Sequence, residues 1–157
     1  VIMIGGLPAH ILLVHAVVVF GPLAGLGAVV YGLAARTRNY LAWPLGVLTL
    51  ILAPLSLITA QAGEQLQATR GATAMIQAHA RQGDIFKYTA VVFLVVVVLM
   101  LAATYAPLAE RVPALAGLQE SRPIRIALLT AGVLAGLFLI YQSIITGHSG
   151  SSSVWGG

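Results

Sequence analysis

Residues 11–35 read ILLVHAVVVFGPLAGLGAVVYGLAA, an apolar run without one Asp, Glu, Lys or Arg. A helix of ~20 apolar residues crosses about 30 Å of hydrocarbon, so this run directs the chain into a bilayer. Three further runs of the same character follow at 41–62, 88–106 and 124–145. The expected fold is all-α: a four-helix transmembrane bundle forming a single domain over 1–157. No internal repeat is visible.

Composition agrees with lipid as the main solvent. Of 157 residues, 59% are hydrophobic and 8% are charged, against roughly 25% charged in an average soluble domain. The net charge of +4 would point to nucleic acid in a soluble protein. Here the basic residues fall between apolar runs, where they set topology, and nucleic acid is excluded as a partner. The absence of cysteine removes disulfides, thiolate zinc sites, iron–sulfur ligation and covalent haem attachment. Histidine and carboxylate remain as the strong ligands.

The connections differ in kind. Arg36, Thr37, Arg38 and Asn39 join the first two runs, and Tyr40 and Trp43 follow at once, which predicts a tight helical hairpin with aromatic interface anchors. The second connection, 65–87, carries Arg70, Arg81, Asp84 and Lys87 around an apolar stretch at 72–80, predicting a short interfacial helix before the third span. The third, 107–123, contains three prolines and predicts an irregular loop. Arg36, Arg38, Arg111, Arg122 and Arg125 flank the hairpin and third connection, against Arg70, Arg81 and Lys87 in the second. Excess positive charge favours the cytoplasm, so both termini and the second connection are expected to face outward. Gly21 with Gly25, and Gly132 with Gly136, are spaced for close helix packing, and Pro22, Pro44 and Pro54 should bend the first two helices.

With that topology His10, His15, His79 and His148 all fall on one side of the membrane, joined by Glu64 at the end of the second span. Each helix thus delivers a ligand to one end of the bundle. Ionisable groups at the edge of a span are costly and are functional candidates, His15 being the deepest. Bis-histidine ligation of a b-type haem needs imidazoles from different helices facing across a bundle with apolar walls, and Arg70, Arg81 and Lys87 are on the right side to pair with propionates. The expected axial ligands are His15 and one of His79 or His148, with His10 and Glu64 orienting ligands or binding propionates. His10 and His15 lie about 140° apart on an ideal helix and would share one ion only if His10 preceded the helix. The set His10, His15, Glu64, His79 and His148 equally suits a copper, iron or zinc site. No nucleophile with an adjacent base and no phosphate loop is visible, which leaves hydrolase and kinase readings unsupported.

Two segments carry a resemblance to a known family. Leu7-Pro8-Ala9-His10-Ile11-Leu12-Leu13-Val14-His15 resembles the "HPLLVH" opening of the DUF2231 family of four-span bacterial membrane proteins, and Thr146-Gly147-His148-Ser149-Gly150 with Val154-Trp155 resembles its "GHxG...W/Y" ending. Gly63-Glu64 and His79 fall where that family carries a "GE" and a lone His. Ile11 stands in place of the usual Pro, and Ala16-Val17 in place of a Phe-Pro pair. The resemblance implies a bacterial inner-membrane location, with the histidines on the periplasmic side. Fusion of some members to Rieske-type or cytochrome c domains implies a role near respiratory electron transfer.

The function expected is therefore an integral membrane redox protein holding haem b, or a redox metal, at its outward face and exchanging electrons with a protein partner. The glycine- and serine-rich tail, 147–157, would cover the site or meet that partner. A cofactor-free accessory subunit of a larger respiratory or photosynthetic complex, and a non-redox copper- or zinc-binding protein, are the competing readings. Transport through the protein is disfavoured because no span carries a charge at its midplane.

Overall fold

The computed structural model describes residues 2–70 and 73–155, with the side chains of Arg70 and Val154 outside that description. Four long helices form the bundle: α1 (Ala9–Leu33), α2 (Arg38–Arg70), α3 (Ala74–Thr104) and, after two short helices, α6 (Arg122–Trp155). The short pair is α4 (Ala106–Arg111) and α5 (Ala116–Glu120), separated by a 3-10 turn at Pro113–Leu115. All four long helices are long and apolar enough to cross a membrane.

Each helix buries one stripe and turns large apolar side chains outward. On α3 the buried stripe is Phe86, Ala90, Phe93, Val97, Met100 and Ala103, while Val92, Val95 and Val98 are exposed. On α2 it is Leu45, Thr49, Leu52, Ser56 and Thr59, with Leu50 and Ile58 outside. An apolar residue on the outer face costs nothing in lipid, so the buried stripes hold large apolar residues alongside small ones and hydroxyls. Thr49, Ser56 and Thr59 return their hydroxyl hydrogens to the carbonyls of Leu45, Ala53 and Leu55.

Helix α1 packs on α2 and α6, and α3 packs on the same two helices, which places α1 and α3 across the diagonal. Backbones of α1 and α6 come close where Gly25 meets Gly136. A Cβ added to Gly25 would lie 2.6 Å from the Gly136 carbonyl oxygen, and one added to Gly136 would lie 2.6 Å from that of Gly25. Gly21 receives Ser143 and Phe86, and Gly132 receives the Met100 thioether.

At the end away from the histidines, side chains close the helix termini. Arg38 donates to the Tyr31 and Gly32 carbonyls at the end of α1, both at 3.2 Å. Gln119 on α5 donates to Ala102 and Tyr105 carbonyls at the end of α3, both at 2.9 Å. Tyr31, fully buried, reaches the Thr104 hydroxyl at 3.0 Å.

Two expectations about connections are corrected. The third connection is helical: Pro107 and Pro113 occupy first-turn positions, and Pro123 is the second residue of α6, where a missing N–H costs nothing. The separate interfacial helix at 72–80 is the first part of one continuous α3, capped by the Thr73 hydroxyl on the Ile76 N–H; residues 71–72 lie outside the described residues. Gly83 costs such a helix about 1 kcal/mol and does not break it. The tail from 147 is helix through Trp155. Helices α1 and α2 each contain their prolines, Pro22 and Pro44 with Pro54, inside one continuous element.

Ahead of α1, Met3–Ile4 and Leu7–Pro8 form a minimal antiparallel hairpin. Its two-residue turn is Gly5 (φ +56°) and Gly6 (φ +82°), the left-handed pair that such turns require. The Ala9 N–H donates to the Ile2 carbonyl and ties the hairpin to the helix start.

The crossing predicts a position-specific cost. Gly136→Val should lower stability by at least the ~1–3 kcal/mol typical of overpacking, because the obstacle is backbone. Gly147→Ala, where an added Cβ meets nothing within 4 Å, should be close to neutral. Thermal unfolding of the two variants in detergent compares them directly.

Candidate functional site

The first turn of α1 places His10 inside the bundle. Its Nδ1 lies 2.9 Å from the Thr59 carbonyl oxygen of α2. A carbonyl only accepts, so Nδ1 carries the hydrogen. One turn further along α2, Gly63 lies against the ring: a Cβ there would be 2.9 Å from His10 Cε1. Together Thr59 and Gly63 clamp the imidazole from one helix face.

Across the diagonal, His79 of α3 is held in the same manner by α6. Its Nδ1 is 3.0 Å from the Ser149 hydroxyl, which donates its own hydrogen to the Thr146 carbonyl at 2.8 Å. The Thr146 carbonyl is also a hydrogen-bond partner of His79, so both groups on α6 face the ring. Gly150 takes the part of Gly63: a Cβ there would stand 3.0 Å from His79 Cε1. Gln142 fastens α6 to α3 below this point, its Nε2 donating to the Gln82 Oε1 at 2.9 Å.

The two rings meet edge to face, with centroids 6.2 Å apart and planes at 68°. They line a cavity of about 530 Å³ to which all four long helices contribute. Its walls are mainly apolar, including Ile11, Val14, Val17, Ile76 and Phe86, with hydroxyls from Ser143, Thr146, Ser151 and Ser153. Glu64 and Asp84 also line it. Lys87 lies 2.6 Å from Asp84 Oδ1 and 3.6 Å from Glu64 Oε1, with both carboxylates more than half exposed.

The centroid spacing of 6.2 Å is close to the ~6.4 Å of two imidazoles opposed across one metal at about 2.1 Å from each nitrogen, although opposed ligands turn edges to each other and this pair is set edge to face. Each Nδ1 has a partner, as the outer nitrogen of a metal-ligating histidine does.

The other expected site residues fall elsewhere. His15 is exposed on the outer face of α1, its Nδ1 turned back to the Ile11 carbonyl of its own helix. His10 is within the helix, so the ~140° between the two residues sends their side chains to different faces. His148 is exposed and one step around α6 from Ser149. Arg81 is exposed on α3, Lys87 is engaged by its two carboxylates, and the Arg70 side chain lies outside the described residues. Among the described residues no group of three or more His, Asp or Glu converges as a metal cluster. The tail does reach the site, as a helical wall carrying Gly147, Gly150, Ser151 and Ser153.

Thr59, Gly63, Ser149, Gly150 and Asp84 were not picked out as site residues by residue type. The Thr59 contribution is a carbonyl and leaves no trace in sequence. Gly63, Ser149 and Gly150 do lie within the short segments quoted for the family resemblance. No protein-family profile, curated protein or solved structure matches the chain.

The clamp predicts that nitrogen NMR of histidine-labelled protein will show His10 as a single Nδ1–H tautomer. Gly63→Ala should displace that ring and change its signals, leaving those of His15 in place.

Proposed function

We propose that this chain is a membrane cytochrome of the b type, with His10 and His79 as the axial ligands of a haem in the bundle cavity. The observation that carries the reading is the imidazole pair itself. Two rings from diagonal helices stand 6.2 Å apart with both Nδ1 atoms occupied, beside an apolar cavity of about 530 Å³. Ligand sites in helical bundles are built in this way, from side chains on facing helices.

Haem is favoured over a bare ion by ligand count. A porphyrin supplies four equatorial nitrogens and asks the protein for two ligands, whereas copper or zinc held by protein alone needs three or four. Two imidazoles converge here, and no third His, Asp or Glu joins them among the described residues. When bound, the haem supplies one-electron redox chemistry. The chain's own residues hold the two rings, line the cavity with valine, isoleucine and phenylalanine, and offer Arg81 at the same end of the bundle for the propionates.

In this reading the protein is a DUF2231-type electron carrier of a bacterial inner membrane, with the haem toward the periplasmic face and a redox protein or larger membrane complex as its partner. The charge asymmetry of the connections and the resemblance support that placement.

A dithionite-reduced minus oxidised spectrum with iron analysis tests the assignment. The expected result is a bis-histidine b-type spectrum with one iron per chain. His10→Ala and His79→Ala should each abolish it, while His15→Ala and His148→Ala should retain it. A featureless spectrum from protein isolated with its partners, with iron absent, would overturn the reading and favour a cofactor-free subunit.

A further inference from the structure

We infer that the hairpin of residues 2–8 is a membrane anchor that lies in the headgroup layer at the histidine end of the bundle, with its apolar side chains toward the acyl chains of the lipid. The inference goes beyond the haem reading and does not depend on what the histidines hold.

Residues 1–9, VIMIGGLPA, contain no Asp, Glu, Lys or Arg. Ile2, Met3, Ile4 and Leu7 are each between 49% and 59% exposed, an arrangement that is costly in water. The register pairs Ile4 with Leu7 and Met3 with Pro8. Ile4 and Leu7 therefore share one side of the hairpin, Met3 and Pro8 the other, and neither side is polar. A lone two-stranded hairpin is marginal in water. This one is nonetheless set in a definite place, by the left-handed pair Gly5 and Gly6 and by the Ala9 N–H on the Ile2 carbonyl at 2.8 Å. Below it Leu12, Val18 and Val19 are exposed on α1, so its apolar surface continues the side of that helix that meets lipid.

Helix lengths give the depth. At the far end α1, α2 and α3 are level: Arg38, opening α2, bonds the last turn of α1, and Tyr31 of α1 bonds Thr104, closing α3. Any difference in length is therefore expressed at the histidine end. Helix α1 has 25 residues, or about 37 Å, which covers ~30 Å of hydrocarbon and ~7 Å more. That remainder matches the headgroup layer, about 5–7 Å on each side of the bilayer. Helices α2 and α3, with 33 and 31 residues, reach about 50 and 46 Å and rise past that layer into water. The hairpin thus starts where the hydrocarbon has just ended. Only this layer suits both of its parts. The free edges of a two-stranded sheet present backbone N–H and C=O groups that need water, whereas side chains such as Ile4 and Leu7 gain by dipping into the acyl boundary, as interfacial apolar segments do.

The chain has no cysteine, so a single introduced cysteine can carry a nitroxide at one place in the full-length protein. Ile4→Cys and Leu7→Cys, on separate strands, guard against one variant failing to fold. Each is reconstituted into vesicles of phosphatidylcholine and phosphatidylglycerol, and collisions with oxygen, which concentrates in lipid, are compared with those with a water-soluble nickel chelate. Leu23→Cys, on the exposed face of α1 within its span, and Ala68→Cys, on the exposed end of α2, mark lipid and water. The expected oxygen-to-nickel ratio at 4 and 7 exceeds that at 68 and falls below that at 23. A ratio equal to that at 68 would put the hairpin in water and overturn the inference. Labels shielded from both reagents would overturn it as well, because a second copy or another protein, not lipid, would then cover the hairpin.

Discussion

The close approach of α1 and α6 at Gly25 and Gly136 is the contact on which the rest of the bundle depends. In lipid the outward faces gain nothing by association, since the surrounding chains are as apolar as leucine. Packing between helices must then come from backbones that can touch. Here each glycine stands where a side chain on the other would strike a carbonyl at 2.6 Å. The contact continues through Gly21, which accepts Ser143 and Phe86 into the space beside α1. From Val17 upward the same four helices enclose the cavity, so the tight middle of the bundle lies directly beneath the open end.

That open end is organised by hydrogen bonds rather than by charge. The imidazoles of His10 and His79 are each fixed by hydrogen bonding at Nδ1 and one glycine at Cε1, from α2 and α6 respectively. The two helices that clamp these imidazoles are those that separate α1 from α3. The diagonal geometry and the ring orientation are consequently one arrangement. The charged groups stay at the margin: Lys87 pairs with both Asp84 and Glu64, with the carboxylates more than half in solvent, where such pairs add little to stability.

The spans were legible because lipid imposes a length and a polarity that few other environments do. The helix ends were not. The second apolar run ends at 62, but GEQLQATR contains no proline, and its one glycine is tolerated, so α2 continues to Arg70. Prolines at 107, 113 and 123 were read as breaks, yet each sits at a helix or turn start. Whether a proline ends one helix or begins the next is settled by which carbonyl it would face. At the site, His10 and His79 were recognisable as residue types with a reason to be conspicuous in an apolar chain. The expected preference for His15 over His10 followed depth in the run, whereas angular position around α1 governs which ring enters the bundle.

Sequence by itself determined that the chain lives in a bilayer, that it has four helices long enough to span one, and that any tightly held metal would rest on histidine and carboxylate. Those conclusions rest on composition and on run length, both of which are properties of the chain alone. Tertiary structure decided which histidines meet, what holds them, and which helices face across the diagonal. A donor's partner is often a backbone carbonyl from a distant helix, as Thr59 is for His10, and no residue identity encodes it. Only the packing of glycines against rings and of α1 against α6 brings those atoms within hydrogen-bonding reach.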